Sequence, residues 1–175
     1  DSSANFMEHV SSASNIATDA SNLERINRWA CAIRLFEERP IVGWGPGTYQ
    51  FVYAPMQRAS EKTIISTDFG DGGNAHSEYL GPLADKGVLG LVTFLLIGIA
   101  IISTGIRVYK QDANRSNRVM VMGILIAFIT YFIHGFLNNF LDSDKAAVPF
   151  WGFAAILAIL DIQNKDELAE KKTAE

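Results

Sequence analysis

Three stretches of this chain contain no charged side chain, and they constrain its fold more than any other feature. They cover residues 87–106, 119–141 and 146–160 and are mostly apolar. A helix needs about 20 apolar residues to cross the hydrocarbon core of a bilayer. The first two stretches reach that length, and Phe150 and Trp151 in the third suit the membrane interface. The alternative, three buried helices of a water-soluble protein, needs a larger core than this chain can build.

The connectors between these stretches indicate which side of the membrane each part occupies. Residues 107–118 carry four basic residues against one acidic residue, whereas the connector at 142–145 is net acidic. The positive-inside rule therefore predicts that 107–118 is cytoplasmic and that 142–145 is external. Residues 1–87 then lie outside as well.

The predicted fold is an all-α membrane protein, the C-terminal fragment of a multi-pass helical bundle with a large external loop that contains amphipathic helices. A fragment is expected because the chain has no initiating Met and no leader that could export its external segment. The expected segments, in chain order, are an external loop at 1–87 with helices at about 22–38 and 75–86, a membrane helix at 88–106, a cytoplasmic connector at 107–118, a membrane helix at 119–139, a short external connector at 140–145, a membrane helix at 146–162 and a cytoplasmic tail at 163–175.

The charge balance and the cysteine count exclude several classes of function. Lys and Arg number 15 and Asp and Glu number 19, so the net charge of −4 argues against nucleic-acid binding. The single cysteine excludes a disulfide framework and a cysteine-cluster metal site. Neither EF-hand nor HExxH spacing occurs, so neither a metal site nor a cofactor is expected.

Two arginines, Arg25 and Arg28, lie in the first half of the first helical pattern of the external segment. Ser21 and Glu24 have capping-box spacing and open the helix. Arg25 and Trp29 share one face of it, and Arg28 lies beside that face. Paired guanidinium groups suit a phosphate or diphosphate, because each offers a fork of donors and stays charged. The alternative is a solvated basic face that pairs with the glutamates of the same helix.

A glycine-rich loop follows, with glycine at the alternating positions Gly43, Gly45 and Gly47. It matches neither a P-loop nor a dinucleotide fingerprint. The spacing predicts a tightly turning backbone, which either lets a ligand approach closely or reverses the chain. Four aromatic residues of this region predict a surface that stacks on sugars or packs at the membrane interface: Trp44, Tyr49, Phe51 and Tyr53.

Asn74 is predicted to cap a second external helix that runs to Lys86 and stops at Gly87. His76 then lies in the first turn, on the apolar face. A helix N-terminus disfavours the imidazolium, so the ring is expected to be neutral and able to act as a general base. The alternative is a packed structural histidine. Within the membrane stretches, His134 is the one ionisable side chain, and interfacial hydrogen bonding is expected for it.

Together and in this order, these pieces resemble the O-antigen ligase and O-antigen polymerase family of bacterial membrane glycosyltransferases. The resemblance covers residues 21 to about 106. It rests on three motifs followed by a membrane span: Arg25-x-x-x-Trp29-x-x-Ala32, Pro40-x-x-Gly43-x-Gly45-x-Gly47, and His76-x-x-x-Leu80 with Gly87-x-x-Gly90.

The resemblance implies a multi-pass protein of the bacterial inner membrane whose residues 1–87 are periplasmic. Members transfer a glycan from an undecaprenyl-diphosphate carrier to an acceptor, without a metal ion and with inversion at the anomeric carbon. The acceptor is lipid A-core in the ligases of lipopolysaccharide biosynthesis and another carrier-linked glycan in the polysaccharide polymerases. The implied partners are these donors and acceptors together with membrane lipids.

The family motifs imply that Arg25 and His76 are the catalytic residues of this chain. Arg25 would hold the diphosphate, and His76 would orient or deprotonate the acceptor hydroxyl. The residues expected to bind substrate are Arg28, Trp29, Gly43, Gly45 and Gly47. Because other basic residues of the family lie on upstream loops, the fragment alone is expected to be inactive.

Two other functions stay open on the sequence alone. One is a membrane transporter of a small anion or a sugar-lipid, and the other is a membrane-anchored periplasmic binding module. Polar groups within the membrane helices would favour a transporter, and these stretches offer little beyond His134 and scattered Ser and Thr.

Overall fold

The computed structural model describes residues 20–63, residue 66 and residues 73–173. Over these residues the fold contains helices and no strand, which confirms the predicted all-α membrane fold. The first 19 residues of the predicted external loop and the last two of the predicted tail lie outside the described residues. The α-helices are α1 (Ala20–Glu38), α2 (Tyr49–Met56), α3 (Leu80–Gln111), α4 (Arg115–His134) and α5 (Asp144–Thr173), and 3-10 turns lie at Ala59–Glu61 and Phe140–Asp142.

Three helices, α3, α4 and α5, are long and apolar enough to cross a membrane. Their bounds differ from the predicted spans. Only residues 112–114 separate α3 from α4, so most of the connector predicted at 107–118 is helical. Helix α5 likewise continues to Thr173, through the segment predicted as a tail, whereas α4 already ends at His134. The charge-free stretches mark what a bilayer tolerates, whereas a helix continues for as long as its own hydrogen bonds satisfy the backbone.

The chain forms two compact units, Asp1–Leu91 and Val92–Glu175. The core of the second unit is aromatic, with the Phe150 ring 5.1 Å from that of Phe128 and 4.8 Å from that of Tyr131. Phe150 is therefore buried, which corrects its prediction as an interfacial anchor, while its neighbour Trp151 is exposed. His134 is exposed at the end of α4.

Polar contacts of two buried aspartates also hold the second unit together. The Asp161 carboxylate on α5 accepts hydrogen bonds from Arg107 Nη1 on α3 (3.1 Å) and from Lys165 Nζ (2.6 Å). At the turn between α3 and α4, the buried Asp112 accepts from the Asn114 amide (2.8 Å). These pairs explain how α3 and α5 accommodate charged residues close to their apolar stretches.

In the first unit, the glycine-rich loop is fastened to the beginning of α3. The Gly45 amide donates to the Asp85 carbonyl (2.7 Å), and the Val88 amide donates to the Pro40 carbonyl (2.8 Å). The Asp85 carboxylate in turn accepts from the amides of Gly47 (2.8 Å) and Tyr49 (2.9 Å). It thereby caps the N-terminus of α2.

The second external helix begins later than predicted. Its first residue is Leu80, and the Ser77 hydroxyl accepts from the amides of Tyr79 and Leu80 (both 3.3 Å), as an N-cap does. The Asn74 side chain accepts from the His76 amide (3.0 Å) and closes a turn in which His76 has a φ of 46°. The prediction that Asn74 caps the helix and that His76 lies in its first turn was therefore wrong.

The second external helix stops at Gly87, as predicted, because Gly87 has a non-helical backbone with a φ of 64°. A kink at Gly87 joins it to the helix that resumes there and runs to Gln111. A Cβ at Gly87 would lie 2.4 Å from the Ile41 carbonyl oxygen, and one at Gly43 would lie 2.4 Å from the Asp85 carbonyl carbon. Both glycines are therefore required where two backbones touch.

Gly43→Ala is expected to lower the free energy of unfolding by at least about 2 kcal/mol, since it combines a left-handed backbone with a steric clash. Denaturant titration of the purified protein in detergent measures the change. The matched control is Gly81→Ala, because a Cβ there meets no atom within 4 Å and Gly81 is helical. Equal stability of the two variants would contradict the close approach.

Candidate functional site

The centre of the site is the buried carboxylate of Glu24, on α1. Its Oε1 accepts hydrogen bonds from Arg28 Nε (3.1 Å) and from the Tyr53 hydroxyl (2.7 Å). Its Oε2 accepts from Thr63 Oγ1 (2.9 Å) and from the Ser66 hydroxyl. The sequence singled out Glu24 only as the second half of a capping box, and the structure shows that its carboxylate gathers donors from three segments of the first unit.

The ionisation of Glu24 follows from these contacts. Burial by itself would raise the pKa of Glu24, but the hydrogen bonds from Ser66, Tyr53, Thr63 and Arg28 outweigh it and hold the pKa below its ordinary 4.5. The carboxylate is therefore charged at neutral pH. Burial and the bond to Glu24 raise the pKa of Tyr53, so its hydroxyl stays a donor.

Arg28 connects this carboxylate to the histidine turn. While Nε is held by Glu24, Nη1 donates to the Asn74 carbonyl (3.3 Å) and faces His76 Nε2 at 3.4 Å. The guanidinium also lies over the Tyr53 ring, with Cζ 5.1 Å from the ring centroid. Arg28 is therefore a largely buried cation that pairs with a glutamate of its own helix, so the expected alternative is right about the pairing and wrong about a solvated face.

His76 is half-buried, and its surroundings keep the ring neutral. Burial lowers its pKa, the charges of Arg28 and Arg25 lower it further, and Glu24 opposes them. Because Arg28 can only donate, this contact is favourable for the neutral ring when the lone pair is on Nε2 and the proton is on Nδ1. At 3.4 Å the contact is longer than a normal N–H···N hydrogen bond, so a better donor can replace it.

Arg25 and Trp29 lie one turn apart on α1, and each has one buried hydrogen-bond donor that is unpaired among the described residues. Neither Arg25 Nε nor Trp29 Nε1 has a hydrogen-bond partner among the residues that the structure describes. A buried donor left unpaired costs about 1–3 kcal/mol. An acceptor that is not among the described residues would therefore stabilise the protein by pairing with these two donors.

The amides of the three predicted substrate-binding glycines are used by the protein itself. Gly43 donates to the Arg39 carbonyl (3.0 Å), Gly45 to the Asp85 carbonyl and Gly47 to the Asp85 carboxylate. Their visible contribution is to pack the loop against α3. Substrate binding by these glycines stays a prediction.

Tyr49 links this loop to the site. Its amide is bound by Asp85, and its hydroxyl donates to the Arg28 carbonyl (2.8 Å). Its ring stacks on Tyr53 with centroids 5.5 Å apart, and both rings are buried. The predicted aromatic surface is therefore wrong for these two tyrosines, whereas Phe51 between them is exposed.

The structure thus brings Arg25, Arg28 and His76 into one site, and it adds residues that the sequence did not assign to it. Only Glu24 had a local signal, its i,i+4 spacing to Arg28. The others come from remote segments, where nothing in the neighbouring sequence announces the contact: Tyr53, Thr63, Ser66 and Asn74. Within the described part of the chain, no group of three or more His, Cys, Asp or Glu side chains could hold a metal ion.

Comparison with known proteins gives one match. A family model described as O-antigen ligase matches residues 2–95, which is more than half of the chain and includes every residue of this site. No curated protein and no solved structure matches the chain.

Proposed function

We propose a function on the premise that the chain belongs to the O-antigen ligase family. In this proposal the chain transfers a glycan from undecaprenyl diphosphate to an acceptor at the periplasmic face of the bacterial inner membrane. The family supports activity of the ligase or polymerase type, and the three apolar helices make this a membrane protein. The proposed acceptor is lipid A-core for ligation or a second carrier-linked glycan for polymerisation.

The observation that carries this proposal is the contact of Arg28 Nη1 with His76 Nε2, across 48 positions of the chain. It puts a neutral imidazole beside guanidinium groups. Transfer from a diphosphate needs these two functions, a proton acceptor for the incoming hydroxyl and a cation for the leaving charge.

In the proposed reaction, the oxygen of an acceptor hydroxyl attacks the anomeric carbon of the donor glycan and forms the new glycosidic bond. The bond from that carbon to the carrier's phosphate oxygen breaks, the carbon is inverted, and undecaprenyl diphosphate leaves with the electron pair. The hydroxyl proton passes to His76 Nε2. No metal ion or cofactor takes part in the proposed steps.

We assign the diphosphate to Arg25, because its buried Nε has no partner among the described residues and its charge already acts on His76. Trp29 Nε1, one turn along α1, offers a second donor on that side. Arg28 is bound by Glu24 and holds the histidine turn in place through the Asn74 carbonyl. An acceptor hydroxyl then replaces the long Arg28–His76 contact.

The test is a transfer assay with the full-length protein in liposomes that contain an undecaprenyl-diphosphate-linked glycan and either lipid A-core or a second carrier-linked glycan. Covalent product is measured by mass spectrometry. Arg25→Ala is expected to lower the rate about 10- to 100-fold, since it removes a charged hydrogen bond to the diphosphate.

The matched control is Arg58→Ala, which removes an exposed arginine of the same unit and should leave the rate unchanged. Movement of the carrier-linked glycan across the bilayer without covalent product would favour the transporter instead. Binding without either outcome would favour the binding module.

A further inference from the structure

The glycine-rich loop exposes apolar side chains that the proposed reaction does not use. Ile41 is 64% exposed and Val42 is 66% exposed, which with Phe51 makes them the most exposed large apolar residues described in the first unit. Exposed apolar residues are ordinary when they are isolated, but Ile41 and Val42 are adjacent and lie in the turn that the Gly43 amide closes on the Arg39 carbonyl. We call these two residues the loop tip.

The backbone of the loop tip is in contact with the kink of α3. The Val88 amide donates to the carbonyl of Pro40, immediately before the tip, at 2.8 Å. The Ile41 carbonyl oxygen lies so close to Gly87 that an added Cβ would stand 2.4 Å from it. The tip is therefore held beside Gly87 and Val88 by two contacts between backbones.

Gly87 and Val88 begin the first apolar stretch, which belongs to a helix able to cross a membrane. The two residues after the kink, Val88 and Leu89, are themselves 41% and 56% exposed. Because the loop tip is bonded to this point, it lies beside the first residues of that apolar stretch.

We infer that the loop tip is a membrane-docking surface, with Ile41 and Val42 inserted at the boundary between lipid headgroups and acyl chains. The exposed cations Arg39 and Lys86 lie just before the tip and just before the kink, where they can reach lipid phosphates. The Arg39 guanidinium is held over the Trp44 ring, 4.0 Å from the ring centroid.

The size of the tip favours lipid over a protein partner. A stable protein interface buries about 800 Å² on each side, far more than two aliphatic side chains provide. Continuity with the membrane span is what selects the bilayer. The inference does not rest on glycan transfer, so it can fail or hold whatever the reaction is.

The test uses nitroxide labels on the full-length protein in lipid nanodiscs. Cys31, which is buried, is first replaced in a Cys31→Ala background, and single cysteines are then introduced as Val42→Cys, Ile41→Cys or Ser60→Cys. Ser60 is the control, because it is exposed on the 3-10 turn Ala59–Glu61. Collision rates with oxygen and with a water-soluble nickel chelate are measured by electron paramagnetic resonance.

Labels at Ile41 and Val42 are expected to collide several times more often with oxygen than with the nickel chelate, and the label at Ser60 is expected to show the reverse. Nickel accessibility at the tip equal to that of Ser60 would overturn the inference, because the tip would then lie in water. Low accessibility to both reagents would also overturn it, because protein would then cover the tip.

Discussion

His76→Asn is expected to lower the rate of glycan transfer by about 100- to 10,000-fold, the loss typical of removing a general base. Asparagine is the right replacement because His76 has a φ of 46°, a left-handed conformation that asparagine tolerates far better than alanine. The variant therefore removes the proton acceptor and keeps the turn. Single-turnover transfer in liposomes measures the chemical step directly.

The pH dependence of the unchanged protein gives an independent reading of the same residue. Burial and the charges of Arg28 and Arg25 lower the pKa of His76 from its ordinary 6.5, and the neutral ring is the form that accepts a proton. The rate should therefore stay high down to a pH below 6.5 and fall only as the ring becomes protonated. Transfer by His76→Asn at the unchanged rate, or an acid limb above 6.5, would exclude His76 as the base.

Glu24→Leu is expected to lower the free energy of unfolding by about 3–5 kcal/mol, because it leaves the Arg28 guanidinium buried without a counter-charge. The Tyr53, Thr63 and Ser66 hydroxyls lose their acceptor at the same time. Denaturant unfolding in detergent, followed by tryptophan fluorescence, measures the loss.

Two further variants show whether the effect belongs to the ion pair. Glu37→Ala removes an exposed glutamate of the same helix and should change stability by less than about 0.5 kcal/mol. The double change Glu24→Leu with Arg28→Met should recover much of the loss, since it removes both buried charges. A single Glu24→Leu variant as stable as Glu37→Ala would mean that the carboxylate does not organise the unit.

The sign of the pH effect on stability follows from the lowered pKa of Glu24. A group whose pKa is lower in the folded state stabilises that state at pH values above its unfolded pKa. The contribution of Glu24 is therefore fully present above pH 4.5 and is lost as the pH falls through the lowered value.

The membrane helices could be predicted because lipid imposes a simple condition on sequence, about 20 residues without charge. The histidine turn could not be predicted, because Asn74 and Ser77 both have side chains that can cap a helix. Only the contact between Arg28 and the Asn74 carbonyl shows how the backbone runs between these two residues.

The contacts of the Glu24 carboxylate could not be predicted for a related reason. The spacing of Glu24 to Ser21 is visible in the local sequence, whereas Tyr53, Thr63 and Ser66, which donate to its carboxylate, lie far along the chain.

The distance along the chain between the residues of the site sets the order in which their contacts can form. Arg28 and Glu24 are one helical turn apart, but Tyr53 comes 29 positions after Glu24, and His76 comes 48 positions after Arg28. A chain is synthesised from its N-terminus, and long loops close later than short ones. During synthesis Glu24 and Arg28 therefore exist before Tyr53 and the histidine turn, so their ion pair can form before the contacts that complete the site.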